Sequence, residues 1–231
     1  MAVGDQPAQG LPDPRRSPGD RPLAVGGVLT VPRLLAAYRA GIFPWPVAQG
    51  LVTWWSPDPR AVLPLDGLHI SASLRRTLRR KRMSITTDLR FADVVAGCAD
   101  RPETWITPDL AGGYGALHRA GYAHSIEVSD DTGALAGGLY GVAVGACFSA
   151  ESMFHHVTDA SKTALVALVD ILRAYNFHVC DVQQQSAHLA AMGARTLDRA
   201  TFLDRWARGV AAPAGWPPAG KWELRAASWQ A

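Results

Sequence analysis

The sequence predicts an α+β protein with a mixed sheet flanked by helices, and three observations carry that prediction. Residues 148–183 (FSAESMFHHVTDASKTALVALVDILRAYNFHVCDVQ) read as a strand, a polar loop, a helix and a second strand. A crossover helix of that length makes the two strands parallel neighbours in one sheet. Just upstream, Ala123–Val128, a turn at 129–133 and Ala134–Tyr140 read as a β-hairpin, which adds antiparallel strands. A chain of 231 residues, 48% hydrophobic and 19% charged, can bury a core for one domain of ordinary size plus a smaller one.

Taken in order, residues 1–21 hold four prolines, several glycines and almost no large apolar side chain, a composition that predicts little fixed structure. From Pro22 the text changes. Thr30 caps a helix with Pro32 in its first turn, Leu34, Leu35 and Tyr38 form its apolar stripe, and Gly41 ends it. Gly41–Pro46 and Trp54–Arg60 concentrate Trp and Pro; Trp54 and Trp55 read as a small core, while Trp45, held between Pro44 and Pro46, reads as a stacking surface. Ser71 or Ser73 opens a helix to about Met83 with Leu74 and Leu78 inward, and Thr107-Pro108-Asp109 opens another that Gly121 closes.

A strand over Ala143–Phe148 leads into the 148–183 stretch. There Asp159 or Thr158 caps a helix whose Leu165, Leu168, Val169 and Leu172 share a face, and Asn176 stops it. Ser186 caps a short helix ending at Gly193, Asp198 caps a last helix around Phe202–Ala207, and the tail from Pro213 reads as irregular. The expected division is a segment over 1–21 with little fixed structure, a small N-terminal domain over 22–62, a catalytic domain over 63–210 and a tail over 211–231.

Composition excludes several classes. Cys98, Cys147 and Cys180 form no CxxC pair and two lie in apolar runs, which predicts buried reduced thiols and a cytoplasmic protein rather than a disulfide framework or zinc site. No apolar stretch follows the first residues as a secretory signal would require. Residues 132–150 carry no charge over nineteen positions, but five glycines break them, so they read as two buried strands rather than a membrane span. The net charge of +3 is local: residues 67–87 hold six Lys/Arg and no acid, leaving −3 for the rest. Arg75, Arg79 and Arg82 share a helix face with Arg76 and Arg80 beside them, an arrangement that suits a phosphate backbone as well as a plain solvated face.

The chemistry sits at the two ends of the 148–183 stretch. Glu151-Ser152-Met153-Phe154 presents a carboxylate and large apolar groups where a buried strand emerges. Asp181 and Gln183, at i and i+2 on the second strand, point to the same face while Val182 points to the other, so the carboxylate can orient the carboxamide. Each cluster taken alone also reads as ordinary turn and capping polarity.

With those residues in place, residues 23–207 resemble the leucyl/phenylalanyl-tRNA–protein transferases. The resemblance rests on YRAGIFPWP (38–46), WWSPDPRAVL (54–63), TWIT (104–107), AHSIEV (123–128), GGLYGVAVG (137–145), ESMF (151–154), DASKTAL (159–165), DVQ (181–183) and the H(x)4GA run at His188–Ala194. It implies a large domain like the GNAT acyltransferases behind a small N-terminal domain, with no coenzyme A, no other cofactor and no metal. It also implies transfer of leucine or phenylalanine, with methionine a further candidate, from aminoacyl-tRNA to proteins beginning with Arg or Lys, marking them for degradation. On this reading Asp181, Gln183 and Glu151 are catalytic, Asp181 polarising Gln183 and Glu151 holding the donor's amino or ribose groups, and by the resemblance Trp45 and Trp105 cradle the terminal adenosine. By the same resemblance Leu139, Phe148, Met153, Leu165 and Cys180 form the amino-acid pocket; Tyr114 and Ser186 are expected to join the substrate site, and the basic run of Arg75, Arg76, Arg79, Arg80 and Arg82 is expected to hold the tRNA. The protein is expected to act as a monomer away from membranes.

Three departures stand out: ESMF is followed by His155-His156 where the family reads Ser-Arg, DVQ replaces DCQ, and the tail is shorter. The first is expected to alter a phosphate or carboxylate contact; the second lies on the face opposite the catalytic pair, where little effect is expected. Two rival readings remain. A metal-dependent hydrolase would use His155, His156, His188 and Asp181, but adjacent loop histidines diverge and no HExxH is present. A non-catalytic RNA-binding module built on the basic helix and Trp45 would leave the Asp181/Gln183 pair unexplained.

Overall fold

The computed structural model of the chain describes residues 10–17, 19–46 and 51–225. After a single 3-10 turn at Pro14–Arg16, strand β1 (Ala24–Val25), helix α1 (Val31–Arg39) and strands β2 (Phe43–Pro46) and β3 (Val52–Trp55) make up the small N-terminal region. Its sheet is antiparallel and ordered β1-β3-β2. Strands β4 (Arg60–Val62), β5 (Ser84–Thr87), β6 (Ala123–Ser129), β7 (Leu135–Val144), β8 (Cys147–His155), β9 (Val179–Gln183), β10 (Arg195–Leu197) and β11 (Gly220–Trp222) form one mixed sheet ordered β10-β4-β9-β8-β7-β6-β5-β11. Among the described residues β8–β9 is its one parallel pair. Helices α2 (Ala72–Arg79), α3 (Phe91–Ala99), α4 (Pro108–Arg119), α5 (Ala160–Ala174), α6 (Ala187–Ala191) and α7 (Arg199–Ala211) flank it.

Alternation along the strands splits the apolar residues into two cores. One joins α1, α3, α4 and α7 to the side carrying Tyr140, Val142, Cys147 and Phe154. The other joins α2, α5 and α6 to the side carrying Ile126, Leu139, Phe148 and Cys180. Helix α5 is buried nearly all round, which is what a crossover helix lying on the middle of a sheet requires. It ends as expected, with Asn176 in the left-handed region at φ 61°. At its start Asp159 occupies the cap position, but its carboxylate accepts from Thr77 Oγ1 at 2.9 Å and Lys162 Nζ at 2.9 Å instead of a helix N–H. That contact ties α2 to the sheet edge where β8 ends.

The structure corrects several expectations. The break between the two strands lies at Gly145-Ala146 and not at 141–142 as the sequence suggests: Ala143 and Val144 belong to β7, and β8 starts at Cys147 and runs on to His155, so ESMF lies within a strand rather than beyond it. Helix α2 stops at Arg79, with Lys81 in the left-handed region, well short of Met83. Helix α3 was not expected. The tail is not irregular: β11 pairs with β5, Trp216 stacks on Phe148 at 5.3 Å, and Trp222 Nε1 donates to Asp170 at 3.0 Å. Of residues 1–21, the described part from Gly10 includes Leu11 in the core and Arg15 paired with Asp204 at 2.6 Å, so this part is docked on α7. Residues 60–62, placed in the small domain by the sequence, are β4 of the large sheet. The uncharged 132–150 segment runs from the end of the β6–β7 turn through β7 into β8, and no described helix is long and apolar enough to cross a membrane.

A bulge interrupts the β7–β8 ladder. Tyr140 faces Ser152 and Gly141 faces Ala150, leaving Glu151 without an opposite residue. One extra residue shifts the phase of alternation, so Phe148 and Met153, five apart, both turn toward the α5 side. Gly141 permits the local closeness, since a Cβ there would lie 2.3 Å from the Ser149 carbonyl oxygen and 2.4 Å from the Phe148 ring. Gly141→Ala is therefore expected to cost about 1–3 kcal/mol in urea unfolding, with a local change at Glu151; an unchanged midpoint would show that the bulge tolerates a side chain.

Candidate active site

Parallel pairing of β8 with β9 sets Ser149 beside Asp181, and the two strands then carry Glu151 and Gln183 onward on the face toward α1 and α4. Four polar side chains are thereby gathered on one side of a sheet whose other side is packed against α5. Asp181 is fully buried, and a carboxylate taken from water needs a charged partner and filled lone pairs. Arg60, at the start of β4, supplies the partner: its Nε donates to Asp181 Oδ1 at 2.8 Å and its Nη2 to Oδ2 at 2.6 Å. Oδ1 also accepts from the Gln183 backbone N–H at 3.0 Å. This last bond holds Gln183 in the left-handed region, φ 56°, which a residue with a Cβ enters only at a cost.

Glu151 lies at the unmatched bulge position, with only part of its surface open. Tyr114 Oη donates to its Oε2 at 2.8 Å, and Tyr38 Oη donates in turn to Tyr114 at 3.2 Å. Ser149 Oγ donates to Oε1 at 2.8 Å and lies 3.3 Å from Asp181 Oδ2. No described cation pairs with Glu151. Burial accordingly pushes its carboxyl up to about 7, the hydroxyl bonds from Tyr114 and Ser149 opposing the rise and the nearby Asp181 adding to it. Burial, and next the Glu151 charge, push Tyr38 and Tyr114 well above the usual phenol range, so both act as hydroxyl donors.

Above these groups opens a cleft of about 150 Å³ lined by Phe43, Trp45, Trp105, Glu151, Val182 and Gln183, among others. Trp45 on β2 packs edge-on against Trp55, centroids 5.9 Å apart. Of the site residues expected from the sequence, the structure brings Trp45, Trp105, Glu151 and Gln183 together around this cleft, with Asp181 and Tyr114 beneath. It does not bring Leu139, Phe148, Leu165 and Cys180 there: these are packed in the core under α5, with Met153 partly exposed at its margin. Ser186 caps α6, accepting from the Leu189 N–H at 3.2 Å, away from the cleft lining. Val182, expected on the opposite face, does belong to the α5-side core and also reaches the cleft wall. Arg76, Arg79, Arg80 and Arg82 are exposed and Arg75 half-buried, and none of the five forms an ion pair with a described acid.

The geometry alters one expected interaction. Asp181 touches the Gln183 backbone, not its carboxamide, so it does not polarise that amide directly. The Gln183 Nε2 donates instead to Ser149 Oγ at 2.8 Å, with Glu151 Oε1 farther off at 3.4 Å. The metal-hydrolase set is not assembled either: Asp181 is committed to Arg60, and His155 lies 3.3 Å from Ser161 Oγ. Among the described residues no group of three or more His, Cys, Asp or Glu is placed to hold a metal ion. Arg60, Ser149 and Tyr38 were missed. A signal existed for Arg60, a lone cation directly ahead of Ala61-Val62-Leu63, and for Ser149, two residues before Glu151 on one strand.

The sequence also matches known proteins. The family model described as leucyl/phenylalanyl-tRNA protein transferase matches residues 62–207, and the model for that family's N-terminal domain matches 27–58. A leucyl/phenylalanyl-tRNA–protein transferase of Anaeromyxobacter sp. (strain Fw109-5) is 47% identical, covering 98% of this chain and 97% of its own length. That of Syntrophobacter fumaroxidans is 52% identical over 81% of this chain and 82% of its own, and that of Methylococcus capsulatus 51% identical over 78% of each. Among solved structures, L-PGS from Bacillus licheniformis aligns with 71% of this chain and 58% of its own at 10% identity and a TM-score of 0.41, a similarity that supports no argument.

Glu151 gives the site a pH signature. Its carboxyl is raised in the folded protein from an ordinary value near 4.5 to about 7, so the folded state holds the proton more tightly than the unfolded one. Stability from this group is then lost as pH rises between those two values. Glu151→Gln removes the effect. Urea unfolding should show the variant gaining on wild type between pH 4.5 and pH 7.5; a stability difference constant across that range would mean that Glu151 is not raised.

Proposed function

This chain belongs to the leucyl/phenylalanyl-tRNA–protein transferase family, and from that membership we propose that it moves leucine or phenylalanine from aminoacyl-tRNA onto proteins that begin with Arg or Lys, marking them for degradation. The observation that carries the reading is the placement of Trp45, Trp105, Glu151 and Gln183 around one cleft. In this reaction the acceptor's α-amine attacks the ester carbonyl of the donor, the C–N bond forms, and the bond to the ribose oxygen breaks. An ester is already activated, so the protein has to hold two substrates and carry one proton from nitrogen to the leaving oxygen. Glu151, raised to about 7, is suited to take that proton and return it to the ribose oxygen. Tyr114 and Ser149 fix its two oxygens, and Gln183 turns its carboxamide toward the same place.

Trp45 and Trp105 are the proposed platform for the terminal adenosine of the donor. Its side chain enters beside Met153 toward Leu139, Phe148, Leu165 and Cys180, with Ser186 and Tyr114 completing the substrate site. Those apolar residues are close-packed here, so entry requires Met153 to move, as an unbranched thioether side chain can. The arginines of α2 track the acceptor stem through phosphates, which carry no base code. We place the catalytic unit in the GNAT-like class, supported by an antiparallel meander that passes through a crossover helix into a parallel pair. The division into a small domain over 22–62 and a catalytic domain over 63–210 belongs to the same proposal, with residues 60–62 and the strand in the tail assigned to the catalytic sheet, as does action by a cytoplasmic monomer.

The direct test is incubation with labelled leucyl- or phenylalanyl-tRNA and a peptide beginning with Arg, following label into the peptide. Transfer is expected, and Glu151→Gln should cut turnover by about 10²–10⁴-fold, the usual worth of a positioned acid–base group. Binding of tRNA without transfer by the wild type would favour the RNA-binding module instead. A second measurement addresses α2: reversing Arg75 and Arg79 to Glu should weaken tRNA binding and flatten its dependence on salt, whereas unchanged affinity and slope would remove the helix from the tRNA path.

A further inference from the structure

We infer that Arg60 is a positioning residue for the transfer reaction, joining the Trp45-bearing strand to the Gln183-bearing strand across the cleft. The inference rests on the transferase reading for what is positioned, and on the packing of a single side chain for how.

Arg60 is as buried as any apolar residue around it, and each part of its guanidinium is used. One edge holds Asp181 through two hydrogen bonds, Nε to Oδ1 at 2.8 Å and Nη2 to Oδ2 at 2.6 Å. The remaining nitrogen, Nη1, donates to the Gly41 carbonyl at 3.1 Å. The planar group is covered by two rings, Phe43 at 4.8 Å and Phe202 at 4.5 Å from its central carbon. Gly41 lies two residues before Phe43, which is the first residue of β2 and part of the cleft wall. Gly41 is held in the left-handed region at φ 73°, and a Cβ there would fall 2.7 Å from Leu203, so the position has no room for a side chain.

Two chains of contact therefore start at one guanidinium. The first passes through the Gly41 carbonyl and the Phe43 ring to the strand that carries Trp45. The second passes through Asp181 Oδ1 to the Gln183 N–H, which keeps Gln183 in its left-handed turn with its Nε2 on Ser149. A bidentate, planar cation fixes both distance and angle between the two walls, and an ammonium in the same place would fix neither. Arg60 reaches no described cleft opening, so its effect on the reaction runs through Asp181 and Phe43.

The test is Arg60→Lys, which keeps the charge and removes the fork, assayed in the full chain with aminoacyl-tRNA and an Arg-initiated peptide. We expect turnover to fall at least tenfold at saturating substrates while the donor's apparent KM changes less than threefold. The side-chain amide resonance of Gln183, identified by its loss in Gln183→Ala, should shift as well. That NMR signal does not depend on activity, so it separates failure of this inference from failure of the transferase reading. A folded Arg60→Lys with wild-type turnover and an unmoved Gln183 amide would overturn the proposal, as would reduced thermal stability alone. If Arg60→Lys does not fold, Phe202→Leu, which removes only one covering ring, should move the same amide signal in lesser degree; an unmoved signal there overturns the proposal too.

Discussion

Taking a guanidinium and a carboxylate out of water costs several kcal/mol for each ion, and a buried pair recovers that only when geometry is good and the remaining hydrogen-bonding capacity is filled. Arg60 and Asp181, 1% and 0% exposed, meet both conditions. The guanidinium is satisfied by Asp181 and Gly41, and the carboxylate by Arg60, the Gln183 N–H and Ser149. Removing either partner would strand a buried charge, a loss of about 3–5 kcal/mol. The pair is costly to form and costly to break, so β4, β9 and the turn before β2 can adopt only the relative placement that closes it. The cleft inherits its shape from that constraint.

A second constraint is the bulge at Glu151, and it explains why the site was legible by residue and illegible by geometry. Strict alternation from Phe148 would send Met153 to the opposite face and would read Glu151 and Ser152 as facing apart. One unmatched residue re-phases the strand, but nothing in ESMF itself announces it; the enabling feature is Gly141 on the neighbouring strand, among several glycines that look alike in sequence. The Asp181–Gln183 pair was legible because i and i+2 on a strand needs no more than local periodicity. Its contact through the backbone was not, because Gln183 turning to positive φ depends on Asp181 already being fixed by Arg60, 121 residues away.

The fold shows the same division. Elements with local start and stop signals were readable: Thr107 with Pro108 for α4, Ser71 for α2, Asn176 after α5. Helix α3 has the periodicity, with Phe91, Val94, Val95 and Cys98 buried on one face, but its cap position is Arg90 with no side-chain bond, so no start signal stood before it. The tail misled for the opposite reason. Its Pro-, Ala- and Gly-rich text lacks strand character, and it is ordered by two tryptophans: Trp216 stacked on Phe148 and His124, and Trp222 bonded to Asp170.

The two carboxylates of the site are chemically alike and differ in what surrounds them. Asp181 has a cation and a backbone donor; Glu151 has hydroxyl donors and no described cation. Ser149 stands between them with one proton to give, 2.8 Å from Glu151 and 3.3 Å from Asp181. In the proposed transfer, the difference bears on the proton that amide formation must move. A protein α-amine has a pKa of about 7.7–8.0. Against it, an ordinary glutamate near 4.3 would be a base too weak by more than three units, so drawing off the ammonium proton would cost roughly 5 kcal/mol. Glu151, raised to about 7, narrows that gap to about one unit, or about 1.4 kcal/mol. The same carboxyl, once protonated, faces a developing ribose alkoxide far more basic than itself, so return of the proton is downhill. Burial without a described counter-ion, which costs the fold stability at neutral pH, is what suits one carboxylate to both steps of the proposed reaction.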